Sequence, residues 1–206
     1  MTTKERIIEE ALTLFSVKGY KGTSVKNIAD AVNIKDSSLY KHFGSKQEIF
    51  DTIVKKMDEK IADMSSELGM PDGSDMKQAG EKFGAMTLEE VKTLTKKVFL
   101  FYLEDEFMSR FWRMANIEQY QNSEIYEVYR NFFMEKSLVY QTALFSAMIE
   151  QGILENASPE LMAMNFYAPL FFLLSKYNGH PEGRQEAIGM LERMVEEFFR
   201  IYGRKK

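Results

Sequence analysis

The sequence predicts an all-α protein, with an N-terminal three-helix domain of helix-turn-helix type and a larger helical C-terminal domain. Three observations predict it. Apolar residues recur three and four apart from Ile7 almost to the C-terminus, and no stretch alternates as a strand would. The breaks carry helix punctuation: Gly19, Asn33, Gly69-Met70-Pro71-Asp72-Gly73-Ser74, Gly152 and Gly179-His180-Pro181. Finally, Lys18 to Lys46 holds six Lys against two acids, a local +4 in a chain of formal charge −4.

The first helix is expected over about residues 4–18. Ile7, Ile8, Ala11, Leu12 and Phe15 form one stripe, and Glu5, Glu9 and Glu10 face water. Gly19 should end it in the left-handed conformation, with Tyr20 either packed beneath the next turn or reaching a phosphate. Ser24 or Thr23 is placed to cap a second helix, because a hydroxyl there accepts from backbone N–H groups two or three residues on. Val25, Ile28, Ala29 and Val32 repeat at helical spacing, and Asn33 tolerates the backbone of a sharp stop. Another short helix starts near Asp36, with Leu39 and Phe43 inward. Two helices this short, joined across three or four residues, make a helix-turn-helix.

Ser45 opens a long helix to about Leu68, with a stripe of Ile49, Phe50, Ile53, Val54, Met57, Ile61, Met64 and Leu68. Further helices are expected at about 75–83, from the capping box Thr87-Leu88-Glu89-Glu90 to about 105, and over 106–120. One long helix should run from a Ser123 cap to Gly152, another from Ser158-Pro159 to about 177, and a last one over about 184–202. Pro169 should remove one hydrogen bond inside its helix and bend it. The linear division is a helix-turn-helix domain over 1–46, a connecting helix over 47–68 shared between domains, and a second domain over 69–206.

Composition excludes several chemistries. There is no Cys, and His42 and His180 are the two imidazoles, neither with a partner at ligand spacing. No Gly-rich phosphate loop and no G-x-S-x-G or H-E-x-x-H occurs. The sequence therefore assigns no catalytic residue, metal or cofactor. The N-terminus lacks the apolar core of a signal peptide, and the longest apolar run, Phe166 to Leu174, is too short for a bilayer. The expectation is a cytoplasmic protein without membrane association.

The outward side of the helix near Asp36 offers Lys35, Ser37, Ser38, Lys41 and His42, short or cationic groups suited to base edges and phosphate oxygens. Lys46, just after the Ser45 cap, is expected to set its cation beside free N–H groups and face a phosphate. With Ile8, Ala11, Leu14, Phe15, Gly19, Tyr20, Thr23, Ser24, Ile28, Ala29, Leu39, Tyr40, His42, Phe43, Ser45, Lys46 and Phe50 in place, residues 5–50 resemble the DNA-binding domain of the TetR family of transcriptional regulators. The run L-Y-K-H-F-G-S-K at this distance after G-Y-x-x-T-S is its specific signature. Lys35 departs from the Ser or Thr that often caps the family's recognition helix, and Ser37 from a common Gly, so no known operator transfers. The resemblance implies DNA contacts from Thr23, Ser24, Lys26, Lys35, Asp36, Ser37, Ser38, Tyr40, Lys41, His42 and Lys46.

The second domain has no motif of its own. The chain's 14 Met and 16 Phe suit an adaptable apolar pocket, and the resemblance implies a helical domain that binds an inducer and forms a homodimer. Tyr102, Phe111, Trp112, Tyr129 and Phe133 are the candidate lining, with Glu104, Asp105, Glu106 and Glu118 as an acidic face or partners for a cationic ligand. The dimer stripes are expected to be Phe166, Leu170, Leu173 and Leu174 on one helix. Met190, Leu191, Met194, Val195, Phe198 and Ile201 form the other. The expected function is a dimeric, ligand-responsive repressor on a palindromic double-stranded operator, released by a small apolar or amphipathic inducer. The alternative is a helical small-molecule carrier or protein-interaction adaptor without DNA binding.

Overall fold

The computed structural model describes residues 1–71 and 73–204, so Asp72, one of the expected turn residues, lies outside the described residues. Helix α1 is Thr3–Lys18, α2 Val25–Val32, α3 Asp36–Leu39 and α4 Lys46–Glu67. They are followed by α5 Met76–Gly84, α6 Leu88–Glu104, α7 Glu106–Glu118 and α8 Ser123–Arg130. The last are α9 Lys136–Glu150, α10 Pro159–Tyr177 and α11 Arg184–Tyr202.

Local chemistry accounts for most of these limits. Thr2 and Glu5 form a capping box at α1. Asn33 stops α2 in the left-handed conformation, at φ 59° and ψ 49°. Thr87 and Glu90 box α6, and Ser158 caps α10 with Pro159 at its first position. Helix α10 continues across Pro169 to Tyr177.

Three local expectations need correction. Gly19 has φ 76° but ψ 162°, so it is extended rather than left-handed helical; a conformation that only glycine adopts readily turns the chain off α1. Asn122, not Ser123, caps α8, because its Oδ1 accepts from the N–H groups of Glu124 and Ile125. The expected single helix from Ser123 to Gly152 is instead α8, a π-helical turn over Asn131–Glu135, and α9. No Pro or Gly marks residues 131–135, and apolar Phe132, Phe133 and Met134 stand side by side there, so the sequence shows no break at the π-turn.

The chain divides into two compact units. The first comprises Met1–Asp63 and Asp105–Arg130, the second Met64–Glu104 and Asn131–Lys206. Helix α7, which linear order puts in the second domain, thus shares a unit with α1–α3, and the π-turn begins where the chain leaves that unit.

In the first unit α1 packs on α2 and along α7. Its core holds Ile7, Leu12, Phe15, Ile28, Leu39, Phe43, Ile49, Ile53, Met57 and Phe111. Polar ties fasten α7 to its neighbours. Asp105 caps α7 through the Met108 N–H and accepts from Lys60 of α4 at 2.7 Å. Arg110 donates to Glu9 at 2.7 Å and to Thr13 at 2.6 Å, while Lys56 donates to the other Glu9 oxygen at 2.7 Å.

Burial raises the Glu9 carboxyl pKa, but the hydrogen bonds and charges of Lys56 and then Arg110 outweigh it and leave the pKa below the ordinary value. A depressed folded pKa means stabilisation that is present above the unfolded glutamate pKa and lost as pH falls through the folded one. Glu9→Gln should therefore lower stability at neutral pH by under about 1 kcal/mol, the pair being partly solvated. The difference from wild type should shrink as pH falls through and below the ordinary glutamate range. Urea denaturation at several pH values checks it; a gap that widens in acid would contradict the assignment.

In the second unit α9 packs on α5 and α10, α10 on α11, and α11 on α6. The core gathers Ala79, Leu144, Phe145, Met148, Leu154, Met162, Ala163 and Phe198.

Candidate nucleic-acid interface

The reader is built from α2, α3 and the turn after them. Ser24, not Thr23, caps α2: its Oγ accepts from the Asn27 N–H at 3.1 Å, and Asn27 Oδ1 accepts from the Ser24 N–H at 2.9 Å. Helix α3 is four residues long, and the hydrogen bonds from Lys41 to Ser38, and from His42 and Phe43 to Leu39, carry the coil on to residue 43. Leu39 and Phe43 are buried beneath it. Lys35, Asp36, Ser37, Tyr40, Lys41 and His42 are exposed around its outer side, and Ser38 is half-buried. Ser24 and Lys26 are exposed at the start of α2. Lys35 makes no side-chain cap, so the position that departs from the family habit leaves its cation free for a partner in solution.

Two expected contacts are corrected. Thr23 is wholly buried and its hydroxyl donates to the Gly19 carbonyl at 2.8 Å, so it shapes the α1–α2 loop and meets no ligand. The Lys46 side chain is half-buried, and its ammonium is engaged by the loop before α2. It donates to the Tyr20 and Thr23 carbonyls at 2.7 Å each and lies 4.2 Å from the Tyr20 ring centre. Desolvation lowers its pKa, offset in part by the charge of Glu118. Tyr20 packs between Phe15 and Phe50 and donates to Gln47, so of its two expected roles it takes the packed one.

Glu118, expected on a solvated acidic face or beside a cationic ligand, takes neither place. It is 2% exposed, and its Oε1 accepts from the Lys21 N–H at 3.2 Å. The signal was present: Glu118 continues the stripe of Phe111 and Ala115 at helical spacing, which puts a carboxylate on the buried face of α7. Two other acids of the expected ligand face are also engaged, Asp105 with Lys60 and Glu104 with Arg184.

The five aromatic lining candidates separate. Phe111, Trp112 and Tyr129 are buried in the first unit, where Trp112 and Tyr129 meet edge-on at 5.8 Å. Tyr102 and Phe133 belong to the second and meet at 6.2 Å. Burial holds the Tyr102 hydroxyl well above its ordinary pKa, and the nearby Tyr167 donates to the Phe133 carbonyl in the π-turn. A cavity of about 600 Å³ in the second unit is lined instead by Phe83, Met86, Met148, Ile153, Phe199 and Arg204, among others.

The expected dimer stripes are largely internal. Leu173, Leu174, Leu191, Val195 and Phe198 are buried within the unit, because α10 and α11 pack on each other and on α9 and α6. Phe166, Leu170, Met190 and Met194 are half-buried, and Ile201 is exposed. The outward apolar face of α10 is Leu161, Met164 and Phe172, at 65%, 50% and 60% exposure.

Among the described residues no helix is long and apolar enough to cross a membrane, and no three His, Asp or Glu side chains converge as a metal site.

A three-helix reader with an exposed cationic edge, carried on an otherwise helical chain, defines the class of helix-turn-helix regulators. Residues 7–53 match the model for bacterial regulatory proteins, tetR family. The chain is 56% identical over 52 residues to the biofilm operon icaADBC HTH-type negative transcriptional regulator IcaR of Staphylococcus aureus. That match covers 25% of this chain and 28% of the relative, so the chain spans little more than a quarter of the curated relatives it matches. Over almost the whole chain the fold is that of solved TetR-family structures. The repressor of the Stenotrophomonas maltophilia multidrug efflux pump SmeDEF, SmeT, superposes with a TM-score of 0.65 at 18% identity, covering 100% of this chain and 92% of that one. A TetR-family regulator from Pseudomonas syringae gives 0.65 at 19%, covering 98% and 97%.

Proposed function

We propose that this chain is a repressor that binds a palindromic double-stranded operator as a homodimer and is released by a small apolar or amphipathic ligand. The observation that carries the reading is the exposed rim of Lys35, Ser37, Tyr40, Lys41 and His42 around a short helix anchored by buried Leu39 and Phe43. Such a helix lies in a major groove, and two copies on a twofold axis read half-sites about 34–36 Å apart or a multiple of that. The first relative is a negative regulator and SmeT a repressor, which supports the sign of the response. SmeT has been solved with triclosan, and the Met- and Phe-lined cavity of this chain, with Arg204 at its edge, suits a ligand of that amphipathic kind. The exposed face of Leu161, Met164 and Phe172 supplies an uncharged seam for the dimer.

Selection of duplexes from a random-sequence library, followed by affinity measurement across salt concentrations, tests the reading. The logarithm of affinity should fall linearly with the logarithm of salt, by about 0.9 for each phosphate contact. In the same assay Ser38→Ala or Lys41→Ala should change base preference within each half-site, by about 1–3 kcal/mol of discrimination. Affinity independent of salt would favour a carrier or adaptor instead.

A further inference from the structure

We propose that Glu118 of α7 is a positioning residue for operator binding. It acts by fixing the α1–α2 loop that carries the reader. The inference rests on the DNA-binding function proposed above.

The loop Gly19–Thr23 is held from two sides. On one, Glu118 Oε1 accepts the Lys21 N–H from a residue 97 positions away. On the other, Lys46 at the start of α4 donates to the carbonyls of Tyr20 and Thr23, which flank Lys21. The same five residues therefore lie between a buried carboxylate and a half-buried ammonium, and Lys46 senses the charge of Glu118. Gly19 makes the close approach possible, since a Cβ there would stand 2.3 Å from Glu118 Oε1.

Burying a carboxylate is costly unless charge and hydrogen bonds offset it. Here one oxygen takes a single backbone N–H, and the other is buried without a hydrogen-bond partner among the described residues. An apolar side chain of similar volume would fill that place at lower desolvation cost. What the carboxylate adds is a directed bond to a loop that leads straight into the Ser24 cap and to Lys26. A loop released at Lys21 would let the start of α2 shift, misaligning the reader by the small displacement that recognition at base edges does not tolerate.

The test compares Glu118→Met, which keeps the volume and removes the acceptor, with Glu118→Gln, which keeps an acceptor oxygen. Both are measured in the full chain on a duplex that wild type has selected from a random library. Glu118→Met should melt within a few degrees of wild type, bind that duplex at least tenfold more weakly, and exchange the Lys21 amide hydrogen at least tenfold faster. Glu118→Gln should restore affinity and Lys21 protection to within about twofold of wild type. A Glu118→Met protein that is folded and binds as wild type does would overturn the inference. So would a folded Glu118→Gln protein with affinity as low as that of a Met variant, or, where Glu118→Met does not fold, a Glu118→Gln protein that has lost Lys21 protection. Wild type that selects no duplex would instead sink the DNA-binding reading itself, which is a separate outcome.

Discussion

Phe15→Ala should destabilise the first compact unit by about 3–5 kcal/mol, a large part of the stability of a typical domain. Phe15 is wholly buried on α1, and its ring lies 5.2 Å from that of Tyr20. Its removal therefore opens a cavity beneath the α1–α2 loop as well as in the core. The chain supplies its own probe, because its single Trp, Trp112, is buried on α7 in the same unit. The fluorescence transition of Trp112 should move to lower urea by more than about 1 M, taking an ordinary denaturant slope of about 1–3 kcal/mol/M. DNA binding should be lost in step with it. A Trp112 transition that stays in place would mean that α7 does not share a core with α1.

Lys46→Ala should weaken binding about tenfold on every duplex alike, without changing the slope of affinity against salt. Each of its two charge-assisted hydrogen bonds is worth about 1.5–3 kcal/mol, and losing both frees the Tyr20 and Thr23 carbonyls. The unchanged slope is the discriminating readout. If Lys46 met a phosphate, as its position in sequence first suggests, its loss would lower the slope by about 1. If it stitches the loop to α4, affinity falls through misplacement of the reader and the number of phosphate contacts stays the same. Binding curves for wild type and variant at four or more salt concentrations decide between the two.

Both predictions, with that for Glu118, concern residues outside the exposed rim of α3. The reader's outer rim is exposed and short-range in origin, but its placement depends on groups brought from elsewhere in the chain. Arg110 reaches Glu9 across 101 positions, and Glu118 reaches Lys21 across 97. Reading was accurate where the decisive interaction spans a few residues. The Ser24 cap, offered with Thr23 as the alternative, the left-handed Asn33 and the inward Leu39 and Phe43 are all of that kind. Thr23 and five of the ten stripe residues of α10 and α11 are instead buried within the chain, where polarity or hydrophobicity was visible but the partner was not.

By itself, then, the sequence determined the helical class, nearly every helix limit, the helix-turn-helix and the resemblance of its N-terminal domain to the tetR family. Caps, stripes and turn residues act over one or two helical turns, so their physics is written in adjacent letters. Only the tertiary structure decided that α7 joins the unit of the helix-turn-helix, that Lys46 and Glu118 grip the two sides of one loop, and that α10 turns Leu161, Met164 and Phe172 outward while Leu173 and Leu174 go to the core. An amphipathic stripe says that a face will be covered. Which surface covers it depends on how helices far apart in the chain pack together.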